Sequence, residues 1–142
     1  MRSRIGHRMP LASTGIGKAM MLDLEPQVWG DLFDASKRAL AGVNFKPDRR
    51  PDTHTFLQRM AHYAAGGYTF DLEENETSIR CVAAPVRDAS GAIVAALSVA
   101  STIPYMPLDR MDELIPLVQR EARAISADLG WSAPQTTRRI KR

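Results

Sequence analysis

Apolar positions recur along this chain at two different spacings, and the change of period falls near residue 67. Before it the pattern is helical. Ser13-Thr14-Gly15 opens a run from Ile16 to about Leu24, with Thr14 or Ser13 as N-cap. Glu25-Pro26 starts a second short helix reaching about Phe33, with proline in the first turn, where its missing N–H is tolerated. Residues Lys46 to Pro51 form a polar, proline-bounded loop. Asp52 or Thr53 then caps a helix running to about Ala65. Phe56, Leu57, Met60 and Ala64 supply its apolar stripe, and Gly66-Gly67 stop it.

After residue 67 the pattern predicts strands at Tyr68 to Leu72, Ser78 to Val86 and Ala92 to Ser101. The acidic run Glu73, Glu74 and Glu76 between the first two is expected to be a solvated turn. Asp88-Ala89-Ser90-Gly91 joins the last two as a hairpin. Ile79, Cys81 and Ala83 share one face of their strand, and Val82, Ala84 and Val86 the other. Its partner sorts Ile93, Ala95, Leu97 and Val99 from Val94, Ala96, Ser98 and Ala100. Neither strand has a wet face, so both are expected to be covered on two sides. Helices cover one side; small residues on the other leave room for something. A last helix, Asp109 to Leu129, has Asp109 as cap and Gly130 as stop. Met111, Leu114, Ile115, Val118, Ala122, Ile125 and Leu129 form its stripe, with a kink expected at Pro116. Helices, then an antiparallel hairpin, then a covering helix make an α+β domain.

A length of 142 residues suits one domain. The longest nearly apolar stretch, Ala92 to Val99, is far short of the ~20 residues of a membrane-crossing helix. No apolar segment follows the basic start Met1-Arg2-Ser3-Arg4, so no signal peptide is expected and the cytoplasm is the expected location. The net charge of +3 is concentrated at the ends. Seven of the 19 basic residues lie at positions 2–8 and 138–142, and the body between carries 12 basic against 16 acidic residues. That body offers no broad basic face to nucleic acid. Residues 132–142 are either a solvated tail or a basic tag.

Several chemistries fail on spacing. Gly15-Ile16-Gly17-Lys18-Ala19 looks like part of a phosphate loop, but Ala12 stands where its first glycine would be and Ala19 has no hydroxyl for magnesium. A single cysteine excludes an intrachain disulfide and a multi-cysteine zinc site. His54 and His62 are eight apart, too far for a helical metal pair, so no metal and no cofactor are expected.

Other positions stay open. Cys81, inside an apolar strand, is a buried packing residue, a ligand contact or a catalytic thiol. Thr14-Gly15-Ile16-Gly17 either presents backbone N–H groups to a carboxylate or is a tight turn whose glycines serve only backbone torsions. Asp71 is the one acid of its region expected to point inward. Ser98, a hydroxyl in an apolar strand, satisfies a backbone carbonyl or faces a ligand.

The stretch from Gly67 to Asp88 resembles the signature of IclR-type bacterial transcriptional regulators. Gly67, Asp71, Glu74, Cys81, Val82, Ala83, Val86 and Asp88 fit it, and Arg87 stands where an aromatic or histidine is expected. Pro10-Leu11 leading into Thr14 to Ala19, the run Ala95 to Val99, Ala124-Ile125-Ser126 and Leu129-Gly130 agree with it. The resemblance spans roughly Arg4 to Trp131.

It implies a GAF-like α+β effector-binding domain over residues 1–131, lacking its first strands, with 132–142 as a flexible tail. It also implies a winged helix-turn-helix that binds DNA and lies outside this chain, and self-association as a dimer or tetramer. The implied ligand is a small metabolite, often a carboxylate from aromatic or short-chain acid catabolism. Carried over by position, Thr14, Gly15, Ile16, Asp71, Cys81 and Ser98 contact it, and Met9, Ile79 and Ala100 form walls. Ile16, where a small residue is common, and Ala100, where a second serine can stand, imply a tighter and less polar pocket. The competing readings are a ligand-free oligomerisation module and an enzyme with Cys81 as nucleophile and Asp71 as its acid or base.

Overall fold

The computed structural model describes residues 5, 6, 8–39 and 50–134. The loop expected at 46–51 lies outside the described residues except for Arg50 and Pro51, as does the tail beyond Pro134. A 3-10 turn, Leu11–Ser13, leads into α1 (Gly15–Met20), α2 (Pro26–Ala39) and α3 (Thr53–Gly66). Then come β1 (Thr69–Leu72), β2 (Ile79–Arg87), β3 (Ile93–Thr102), a 3-10 turn at Ile103–Tyr105, and α4 (Leu108–Asp128).

Most elements start and stop where their capping chemistry puts them. Thr14 caps α1 by accepting the Gly17 N–H, and Asp52 caps α3 by accepting the Thr55 N–H at 2.7 Å. Gly67, at φ +70°, ends α3 by donating its N–H to the Tyr63 carbonyl.

Three boundaries differ from the sequence reading. Helix α1 ends at Met20, and residues 21–24 continue as turns closed by Leu22 and Leu24 N–H groups on the Ala19 and Met21 carbonyls. Helix α2 runs on to Ala39, because its buried stripe of Trp29 and Phe33 continues through a serine. Ser36 is buried and its hydroxyl accepts the Ala12 N–H at 3.3 Å. Helix α4 has Pro107 at its N-cap, and Asp109 sits inside the first turn, where its carboxylate accepts the Arg110 N–H. The α4 stripe also turns at its end: Ser126 is buried, while Ile125 and Leu129 are exposed.

The three strands form one antiparallel sheet in the order β1-β2-β3. Register sets the functional face: Asp71 pairs with Cys81, which pairs with Ala100, and Thr69 pairs with Ala83, which pairs with Ser98. On the other face Val82, Ala84 and Val86 pack with Met111, Leu114, Val118 and Ala122 of α4. On the functional face Cys81 and Ala83 meet Ala19 of α1. A third cluster, with Trp29, Phe33, Phe56 and Met60, joins the helices; the Phe33 and Phe56 rings stack 4.2 Å apart.

Two-sided cover therefore holds for β2 but not for β3. Strand β3 lies at the sheet border, with no strand among the described residues on its outer side, and Val94 and Val99 are 47% and 42% exposed.

Arg87 holds Asp23 with two guanidinium bonds of 2.5 and 2.9 Å and also donates to the Gly91 carbonyl. It ties the turn after α1 to the hairpin.

Candidate functional site

The start of α1 lies across the β1-β2-β3 face, and the two enclose a cavity of about 350 Å3. Thr14, Gly15, Ile16, Asp71, Cys81 and Ser98 all line it, together with Met9, Ile79 and Ala100. The structure thus brings all nine positions marked in the sequence to one place. Gly17, part of the glycine segment singled out in the sequence, lines it too; Leu11, Met20, Asn75 and Glu76 complete the lining, and the sequence reading missed them. Leu11 and Met20 come from the same short segment as Ile16, so their proximity could have been read from it. Asn75 and Glu76 belong to a turn that was expected to face solvent.

Close approach, not torsion, explains the two glycines. Neither Gly15 nor Gly17 has positive φ. A Cβ on Gly15 would overlap the Cys81 sulfur, and one on Gly17 would overlap the Leu11 carbonyl. The Thr69 hydroxyl donates to the Gly15 carbonyl at 2.7 Å and pins the segment to β1. Thr14 Oγ1 accepts the Gly17 N–H at 3.0 Å, which leaves its own hydrogen to donate.

Asp71 is 5% exposed, and its Oδ1 accepts the Glu74 N–H at 2.9 Å. Burial raises its pKa to about 6, against the pull of the Lys18 charge and of backbone N–H groups at Glu74 and Asn75. Burial likewise pushes the Cys81 thiol up to about 11, with the Asp71 charge beside it adding to the rise and a Ser98 hydrogen bond opposing it. A thiol held protonated at neutral pH is a poor nucleophile. No histidine lines the cavity among the described residues, and His62, on α3, is engaged with the Tyr68 hydroxyl at 3.1 Å. Among the described residues no cluster of three His, Cys, Asp or Glu is placed to hold a metal ion.

The acidic turn is the main departure from expectation. Glu73 and Glu74 are 1% and 2% exposed, so the turn is an interior structure. Lys18, itself buried, bonds Glu74 Oε2, and the Arg59 guanidinium lies 3.0 Å from Glu74 Oε1. Glu73 Oε1 accepts the Ser78 N–H at 3.2 Å and its other oxygen lies 3.7 Å from Arg80. The Glu74 carboxylate thereby links α1, α3 and the β1-β2 turn. The available signal was Lys18 itself, which shares the buried face of α1 with Gly15 and Ala19 and so required an acid from elsewhere in the fold.

Comparison with known proteins decides the family. The model of the bacterial transcriptional regulator IclR C-terminal domain matches residues 1–127. The chain belongs to the IclR family. Among curated IclR-family relatives, the regulator KdgR of Escherichia coli K12 is 35% identical over 134 residues, covering 92% of this chain and 48% of KdgR. The chain spans about half the length of the curated relatives it matches. Among solved structures, the Agobacterium tumefaciens repressor BlcR has a TM-score of 0.77 at 24% identity, over 93% of this chain and 51% of BlcR, and shares its fold. The inducer-binding domain of PobR from Acinetobacter, solved as a double mutant with 3-hydroxybenzoic acid, has a TM-score of 0.68 at 25% identity. That match covers 87% of this chain and 69% of the PobR domain. The IclR relatives are transcriptional regulators and not enzymes, which removes the reading of Cys81 as a catalytic nucleophile. No helix among the described residues is long and apolar enough to cross a membrane.

Proposed function

We propose that this domain is the sensor of an IclR-type regulator in the bacterial cytoplasm. It binds a small carboxylate metabolite and adjusts DNA binding by a winged helix-turn-helix carried by the whole protein. Its own copies pair as a dimer or tetramer and pass the signal on. The supporting observation is the convergence of Thr14, Gly15, Ile16, Asp71, Cys81 and Ser98 on one cavity roofed by the start of α1. The PobR inducer-binding domain, solved with a hydroxybenzoic acid, supports a small organic acid as the class of guest.

The ligand acts through its differential affinity for two arrangements of the assembly. The segment at the cavity mouth is fastened rearward through Lys18 to Glu74 and Arg59, so a guest that draws Thr14–Ile16 inward acts on α3 as well.

A thermal-shift screen of metabolite acids tests this reading. A binding acid raises the midpoint in proportion to the logarithm of its concentration once it exceeds its Kd. Substituting Ser98→Leu, which fills the cavity, abolishes that rise. Failure of a broad acid panel to raise the midpoint overturns the proposal.

A further inference from the structure

A second cleft, of about 230 Å3, opens between the end of α3, β2 and α4 and shares no lining residue with the sensor cavity. Strand register makes room for it. Strand β1 begins at Thr69, opposite Ala83, so Ala84, Pro85 and Arg87 of β2 run on past its start and line the cleft. This stretch of edge does not call for another strand. Pro85 has no N–H, and the Arg87 N–H donates to the Ser126 hydroxyl at 2.9 Å.

The helix ends beside the cleft are closed as well. The Gln119 side-chain amide donates to the Gly66 and Gly67 carbonyls at 2.7 and 3.1 Å. At the end of α4 the Gly130 and Trp131 N–H groups donate to the Ala127 and Ser126 carbonyls, both at 2.9 Å. These carbonyls, which would repel an anion, are therefore covered. Of the chain's 16 acidic side chains only Asp48 lies outside the described residues, and none of the others lines the cleft. Two arginines do. Arg87 is held by Asp23 and the Gly91 carbonyl, whereas exposed Arg123 makes no hydrogen bond or ion pair with any described residue.

Arg123 and Trp131 together define a guest. A guanidinium fork takes a carboxylate through two parallel hydrogen bonds. The half-buried Trp131 indole, anchored by its own backbone N–H, gives a flat ring a surface to stack on. Ala64, Ala65 and Ala84 keep the surrounding wall low. The volume holds roughly eight non-hydrogen atoms at ~30 Å3 each, the size of one ring bearing a carboxylate. We propose that this cleft is a second ligand site, taking a planar single-ring carboxylate with its acid group on Arg123 and its ring against Trp131. The site is separate from the sensor cavity, and the proposal does not depend on the sensor reading.

The chain's two tryptophans give the test its readout. Trp29 is buried, with its indole N–H on the Met21 carbonyl, so its NMR signal reports the integrity of the core, while the Trp131 indole N–H reports the cleft. Benzoate, cyclohexanecarboxylate and benzamide are each titrated into the full chain up to 10 mM. Benzoate is expected to shift Trp131, leave Trp29 in place, and bind more than threefold tighter than the saturated acid or the uncharged amide. Arg123→Gln, a change on the exposed side of α4, should weaken the Trp131 response to benzoate more than threefold. The Ile16 methyls, which report the sensor cavity, should respond to benzoate alike in the parent and in Arg123→Gln. A Trp131 signal unmoved by 10 mM benzoate overturns the proposal. So does an affinity that Arg123→Gln leaves within threefold, or that cyclohexanecarboxylate or benzamide matches within threefold.

Discussion

Lys18 and Glu74, 56 residues apart in the chain, form an ion pair whose side chains are 1% and 3% exposed. It joins α1, whose start roofs the cavity, to the turn after β1. An ion pair at this depth is a weak source of net stability but a costly thing to break, since the surviving partner is left buried and charged.

Lys18→Met is accordingly expected to destabilise the domain by about 3 kcal/mol, the lower end for an orphaned buried charge, because Arg59 still holds Glu74. Lys18→Met combined with Glu74→Leu should recover more than half of that loss. Urea unfolding of the two single variants and the double variant measures the coupling. A double variant no more stable than Lys18→Met would show that the pair is not energetically linked.

Gly15 and Cys81 are fitted to each other at the cavity roof. Gly15→Ala places a methyl on the Cys81 sulfur and should cost about 1–3 kcal/mol by overpacking. Cys81→Ala removes the sulfur and makes room, so the pair Gly15→Ala with Cys81→Ala should be more stable than the sum of the single losses implies. Denaturant midpoints provide the comparison. Strict additivity would place the clash somewhere other than between these two residues.

Asp71 makes stability depend on pH in a defined direction. Its folded pKa, near 6, lies above the ordinary carboxyl value of 3.8, so the folded state binds the proton more tightly than the unfolded chain. Stability from this group is therefore full below pH 4, falls as pH rises through 6, and is level above it. A rise of about two units corresponds to a loss on the order of 3 kcal/mol across that window. Asp71→Asn should lack this decline, so the difference between the two unfolding free energies, followed from pH 4 to 7.5, isolates it. A wild-type minus Asp71→Asn difference that stays flat over that range would contradict the assigned environment.

Much of this architecture was legible because local chemistry and global packing agree. Thr14, Asp52, Gly67 and Gly130 begin or end helices by the capping rules, and alternation along β2 sorted its two faces correctly. The cavity positions followed from a family resemblance joined to that alternation. The misread interior positions share one cause, a polar group whose partner lies far away in sequence. Ser36 interrupts the α2 stripe only on paper, because the Ala12 N–H satisfies it from 24 residues away. Ser126 occupies a core position of α4 because it accepts the Arg87 N–H and donates to the Ala122 carbonyl. Glu73 and Glu74 look like a solvated turn until Arg80, Arg59 and Lys18 are placed beside them. Periodicity registers a residue's own polarity; it carries no record of distant partners.

Strand β3 has a consequence for how the molecule behaves in company. From Ile93 to Thr102 it contains no charged residue and no proline, the two commonest guards against sideways stacking of extended chains. Its outer rail of N–H and C=O groups is unmatched among the described residues, and Val94 and Val99 stand exposed along it. A guard-free rail of this kind is where sideways association between copies is expected to begin as the domain is concentrated, with the interior still intact.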